Sequence, residues 1–219
     1  MNNNAIARRT LGRIITFGLG ATVLSTVPGN SSKAGPTSDQ GELVRKANIT
    51  LDEARHDPQF GTSMDLFQSA RAVMVVPQLV KGGFFLGGEG GNGVLMARHG
   101  AHWSYPAFYT LASASFGLQI GVEVAEVVLF VMSQRALQAW MTDQVKLGGQ
   151  AGLTVLVLGS NASAATTTHG GADVIAWAKS KGAYAGITLE GSVIAPRNEW
   201  NTAYYGRRLS PSEVMNRPS

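Results

Sequence analysis

The chain of 219 residues contains no cysteine. That excludes disulfides, thiolate nucleophiles, thiolate metal sites and lipid attachment through an N-terminal cysteine. Charge is sparse, at 15% Asp, Glu, Lys and Arg, and there are only four histidines. Acids are missing altogether from residues 1–34, where Arg8, Arg9, Arg13 and Lys33 stand alone. From residue 35 on, fourteen cations meet fourteen acids, so the formal charge there is zero. The high pI belongs to the first segment, and a nucleic-acid partner loses its main support.

That segment has the layout of an export signal. Arg8-Arg9-Thr10-Leu11-Gly12-Arg13 precedes an apolar run, 14–27, and a small-residue exit at Ser32-Lys33-Ala34. The arginine pair is placed as twin-arginine export requires, although Leu11 and Gly12 depart from the commoner residues. About fourteen apolar residues fall short of a membrane span. The expectation is an exported chain, periplasmic or secreted, with residues 1–34 as its signal.

Glycine is what the chain has in abundance. Seven of its 27 glycines fall between Gly82 and Gly93, flanked by aromatic residues. Gly88-Glu89-Gly90-Gly91-Asn92-Gly93 fits G-x-G-x-x-G, but the run Val94 to His99 leans to strand and stops at Gly100. No acid follows at the ribose-binding distance, and no Gly-Lys-Ser/Thr follows for a P-loop. Two strands, 83–87 and 93–99, joined by a glycine turn are expected instead of a nucleotide loop.

Elsewhere the pattern alternates short strands with a few helices. Helices are expected over 38–57 (Thr37 and Gln40 as capping box), 63–70 and 134–144 (capped by Ser133). Strands are expected over 72–76, ending at Pro77, and over 123–131, 151–158, 174–178, 182–189 and 191–195, with a loop at 160–171. The apolar run 111–132 contains Glu123 and Glu126, which argues against a membrane helix. Ser210-Pro211-Ser212-Glu213 marks a short helix near the C-terminus. The fold class is α+β: a strand-rich single domain with glycine-rich β-hairpins and flanking helices, over 35–206, with 207–219 as a tail.

Chemistry finds little footing. His102 and Ser104 lack an orienting acid and a nucleophile turn, so a hydrolase stands last among the readings. His99 and His102 lack a third metal ligand. Glu123 and Glu126 are explained by carboxylates meeting backbone amides at a strand end. No catalytic residue, cofactor or metal is assigned.

Many separate motifs nevertheless occur in an order that resembles the SYLF domain family. They include Lys81-Gly82-Gly83-Phe84, Trp103-Ser104-Tyr105-Pro106-Ala107-Phe108-Tyr109, Gly117-Leu118-Gln119-Ile120-Gly121, Gly182-Ala183-Tyr184-Ala185-Gly186 and Asn201-Thr202-Ala203-Tyr204-Tyr205-Gly206. The resemblance covers roughly residues 41–206. It implies binding of phosphoinositides and other acidic lipids, actin binding in fungal members, and no enzymatic activity. An exported chain would not meet actin, so the alternative partner is a protein of the cell envelope.

Within the chain, Lys81-Gly82-Gly83-Phe84 is echoed by Lys181-Gly182-Ala183-Tyr184, and the run from Gly93 to Arg98 by that from Gly191 to Arg197. The echo, with the resemblance, makes Lys81, Arg98, Lys181 and Arg197 the candidate contacts to acidic phospholipid, with Trp103 and Phe108 as neighbouring aromatics. Over 38–57 a basic face (Arg45, Lys46, Arg55) competes with a mixed solvated one, which Asp52, Glu53 and Asp57 favour.

Overall fold

The computed structural model of the protein describes residues 38–57, 63–83, 86–116, 121–142, 144–158, 171–181 and 189–218. The expected signal, the loop at 160–171 up to Gly171 and the strand over 182–189 up to Leu189 lie outside them. The architecture is α+β, as expected. A mostly antiparallel sheet has strands β1 (Ala72–Gly83), β2 (Leu86–His99), β3 (His102–Trp103), β4 (Ala107–Phe116), β5 (Gly121–Val131), β6 (Val145–Lys146), β7 (Val155–Leu158), β8 (Val174–Lys181) and β9 (Val193–Pro196). Their order is β6-β9-β4-β2-β1-β5-β8-β7, with β3 paired to β2 and β7 parallel to β8.

Helices cover both faces. On one, α1 (Asp39–His56), α2 (Ser63–Ser69) and α4 (Asn198–Tyr205) pack over Val73, Val75, Val128 and Phe130. On the other, α3 (Gln134–Thr142) and α5 (Pro211–Met215) pack over Met74, Leu95, Tyr109 and Leu129. Burial on both faces is why 72–76 and 127–131 read as unbroken apolar runs rather than alternating ones. Tyr109 lies under α3 and donates to the Trp140 carbonyl at 2.6 Å. Burial pushes its phenol well above the usual range.

Several expectations are corrected. β1 does not end at Pro77 but runs on to Gly83, paired on both sides. The register slips by one residue between Val76 and Leu79, so Pro77 and Gln78 form a bulge, where a missing N–H is tolerated in a central strand. The glycines from Gly87 to Gly93 are not a turn. They form the body of β2, paired with β1 and β4. The cap of α1 is Ser38, which accepts from Gly41 N at 3.1 Å. Within 151–158 only a short edge strand forms, and it is half-exposed. Residues 207–218 are no tail. Leu209, Val214 and Met215 are core, Ser210 forms the expected capping box, and Pro218 bridges to Ser104.

α4 has no counterpart in the strand and helix pattern read from sequence. It is tied down by Asn201, which is fully buried. The Asn201 side chain accepts from Phe108 N at 2.8 Å and donates to Phe108 O at 3.4 Å. It thereby replaces a strand partner just where the β4–β9 ladder stops at Tyr109. Asn201→Leu should therefore lower stability by about 2 kcal/mol, because it orphans a buried amide. Urea unfolding checks this; an unchanged midpoint would refute it.

Candidate functional site

The sheet has two unlike ends. At one, β1 and β5 finish and begin among the glycines. At the other, the hairpin of β2 and β3 meets the C-terminal segment, and nine residues along β1 separate the two, about 30 Å.

At the glycine end, one rung carries Ser113, Glu89, Lys81 and Glu123 side by side across β4, β2, β1 and β5. Glu89 and Glu123 are buried. Ser113 donates to Glu89 at 2.8 Å, and Ser180 donates to Glu123, so a hydroxyl rather than a backbone amide meets that carboxylate. Lys81 thus stands in register between two buried acidic residues. Lys181 pairs with Val124 at the same end, and its side chain lies outside the description.

The hairpin end is basic. Arg71 precedes β1 and accepts Arg98 N on its carbonyl at 2.7 Å. The Arg98 guanidinium donates to the carbonyls of Ala70 and Phe67 and lies 4.3 Å over the Trp103 ring. Tyr105 N donates to Arg217 O at 3.1 Å, which brings the C-terminal segment against the hairpin. His99 Nε2 donates to Met215 O at 2.5 Å, and Tyr205 donates to Pro106 O at 2.6 Å, with Arg207 and Arg208 following. Exposed Arg71, His102, Arg207, Arg208 and Arg217 therefore share this end. Its acids are few. Asp173 is taken up by Arg135, and Glu213 is held below the usual carboxylate range by its bonds to Ser210, with Arg217 and Arg207 adding to the effect. Tyr105 is 46% exposed beside them.

The expected four-cation cluster is not brought together. Lys81 and Lys181 are at the glycine end and Arg98 is at the hairpin. Arg197 lies beside Phe108, stacked 4.1 Å over Trp200 and bonded to Asn92 and Glu199. Of the named aromatics, Trp103 joins Arg98 at the hairpin. Phe108 is fully buried, its ring 6.1 Å from Trp200 and 5.0 Å from Tyr204, which closes it to any surface ligand. Sequence reasoning missed Arg71, Arg207, Arg208 and Arg217. The signal was present in Arg207-Arg208, but treating 207–219 as a tail hid its place beside the hairpin.

Over 38–57 the mixed, solvated face favoured by Asp52, Glu53 and Asp57 is the one that forms. Arg45 and Lys46 both pair with Glu42, and Lys179 pairs with Glu53. Ser104 is committed to structure, bonded to Ala97 N and Tyr105 O at 2.9 Å each, so it does not pair with His102. Among the described residues, no group of three or more His, Asp or Glu is placed to hold a metal ion, and no helix is long and apolar enough to cross a membrane.

The family model for the Las17-binding protein actin regulator, Ysc84, matches residues 112–219. The SH3 domain-containing YSC84-like protein 1 of Xenopus laevis is 35% identical over 178 residues, covering 78% of this chain and 53% of that protein. The LAS seventeen-binding protein 3 of Saccharomyces cerevisiae is 30% identical over 188 residues, covering 82% of this chain and 41% of that protein. The chain belongs to the Ysc84/SYLF family. It spans about two fifths to one half of the length of these curated relatives.

Proposed function

We propose that this domain is a non-enzymatic, exported module that binds the surface of an acidic phospholipid membrane through its hairpin end. The observation that supports this is the uneven distribution of charge. From residue 35 on, the formal charge is zero, so no global field draws the chain to an anionic surface. Five arginines and two histidines nevertheless gather where β2, β3 and the C-terminal segment meet, beside an exposed tyrosine. Each cation held at an anionic surface contributes about 1 kcal/mol, fading within a Debye length. Tyr105 supplies an aromatic ring with a polar tip, the kind of side chain that suits the headgroup level.

The test is sedimentation with vesicles of phosphatidylcholine alone or with phosphatidylserine or a phosphoinositide. Binding should require the anionic lipid and weaken as salt rises. In an Arg207→Glu, Arg208→Glu, Arg217→Glu variant, affinity should fall about 100-fold or more, from about 1 kcal/mol per charge removed and more for its reversal. Lys81→Gln should leave it unchanged. Equal binding to neutral vesicles, or an effect confined to Lys81, would overturn the assignment.

A second reading has its own support. Relatives are named for binding Las17 and for carrying SH3 domains, which are protein-interaction roles. Transferred to an exported chain, it becomes contact with an envelope protein.

A further inference from the structure

Of the basic side chains that gather at the hairpin end, only His99 and His102 belong to a residue type that titrates near neutral pH. They stand directly opposite each other where β2 turns into β3 through Gly100 and Ala101, with Gly100 at a positive φ. Opposed residues of an antiparallel pair share a face, their Cβ atoms about 5 Å apart. His102 is exposed and His99 half-buried. The next pair, Arg98 and Trp103, takes the opposite face, where Arg98 donates to Phe67 O of α2.

A carbonyl fixes the His99 ring. Nε2 donates to Met215 O at 2.5 Å, so Nε2 carries the hydrogen and Nδ1 is the atom left to gain a proton. That bond exists in both charge states. Protonation therefore adds charge without releasing the C-terminal segment. The charged groups around the pair are Arg71 ahead of β1, Arg98 in β2, Arg207 and Arg208 after α4, and Glu213 and Arg217 in and after α5. Arginine, glutamate and tyrosine keep their charge states between about pH 5.5 and 7.5, and histidine does not.

We propose that His99 and His102 make membrane binding at the hairpin end acid-sensitive, each gaining a proton against the anionic headgroups as pH falls toward 5.5. This regulation rests on the membrane reading above. Two charged rings directly opposite each other repel, so the doubly charged pair belongs with an anion that lies against both, such as a headgroup phosphate. The coupling is reciprocal: a surface that favours the charged pair is bound more tightly by it. Each added charge is worth about five-fold in affinity, and the pair about 25-fold. The gain is present at low pH and is lost as pH rises.

The test is sedimentation of the full chain at fixed salt, at pH 7.5 and 5.5, with vesicles of phosphatidylcholine and phosphatidylglycerol, whose phosphodiester keeps its charge across that range. Affinity should rise about 25-fold at the lower pH. His102→Gln, at an exposed side chain, should keep only about a five-fold rise. His99→Gln with His102→Gln should show none, while glutamine can still donate to Met215 O; should that double variant melt early, His102→Gln alone decides. His56→Gln, on α1 with its ring bonded to Asp52 O at 2.8 Å, should rise like the unmodified chain. An undiminished rise in His102→Gln overturns the proposal. So does binding that is equal at both pH values, yet salt-sensitive and lost in the Arg207→Glu, Arg208→Glu, Arg217→Glu variant; the membrane reading then stands without the switch. Binding that ignores that arginine variant at either pH overturns both.

Discussion

Gly91→Ala is expected to lower the melting temperature of this domain by roughly 10 °C. Gly91 sits in the middle of β2, where β1 bulges toward it at Pro77 and Gln78. A Cβ there would lie 2.5 Å from Gln78 O, 2.8 Å from Val76 Cγ1 and 3.1 Å from Leu79 Cα. Two of the three are backbone atoms of a central strand, so relief requires moving a strand paired on both sides. Overpacking of this kind costs about 3 kcal/mol, and a domain of this size loses about 2–4 °C per kcal/mol. Gly93→Ala should act in the same direction but less, since its nearest neighbour, Met74 Cε at 2.6 Å, is the end of a flexible side chain. Gly88→Ala and Gly90→Ala, where a Cβ makes only ordinary contact with a carbonyl at 3.4 and 3.9 Å, should cost nothing and gain a few tenths of a kcal/mol through the unfolded chain. Thermal unfolding of the four variants separates the cases. Equal losses at Gly88 and Gly91 would mean that β2 is not packed against the bulge as described.

The contrast between those glycines shows where sequence reading reaches and where it stops. A capping box is local, and Ser210, Pro211 and Glu213 were legible because all three act within one turn. The α+β class and the rejection of a membrane helix over 111–132 were legible because strand periodicity and buried carboxylates are also local. The glycine run was misread as a turn because its cause is distant. A proline-containing bulge in β1 demands glycine at Gly91 of β2, and the close approach of Met74, Val75 and Val76 crowds Gly93, so only the packing of β1 on β2 reveals which two are needed. α4 escaped because it is fixed by Asn201 reaching the backbone of Phe108, 93 residues earlier in the chain. The basic end escaped for the same reason, since Arg217 stands beside Tyr105 only through the pairing of the C-terminal segment with the hairpin.

Removing one carboxylate at the hairpin end should have an effect as large as filling Gly91. Asp173→Asn is expected to lower stability by about 3 kcal/mol, because it weakens several charge-assisted hydrogen bonds at once. Asp173 is buried where β5, β7, β8 and α3 converge. It accepts from Ser133 Oγ at 2.5 Å, from Thr154 N and Thr154 Oγ1 at 3.0 Å each, and from the Arg135 guanidinium. An asparagine keeps the shape but turns one acceptor into a donor that faces these donors. Arg135→Gln should cost much less, since its side chain is 63% exposed and contributes one partner of several. The pH dependence gives an independent check. Burial alone would raise the Asp173 pKa, but the bonds from Arg135, Ser133 and Thr154 outweigh it and hold the carboxyl well below the usual range. The unfolded chain therefore takes up the proton first, at about pH 4, and acid favours unfolding. The stability gap between the unmodified chain and Asp173→Asn should be constant from pH 7 to pH 5 and narrow as pH falls from 4 toward 2. A gap that stays constant down to pH 2 would show that Asp173 is not held by these donors in the folded chain.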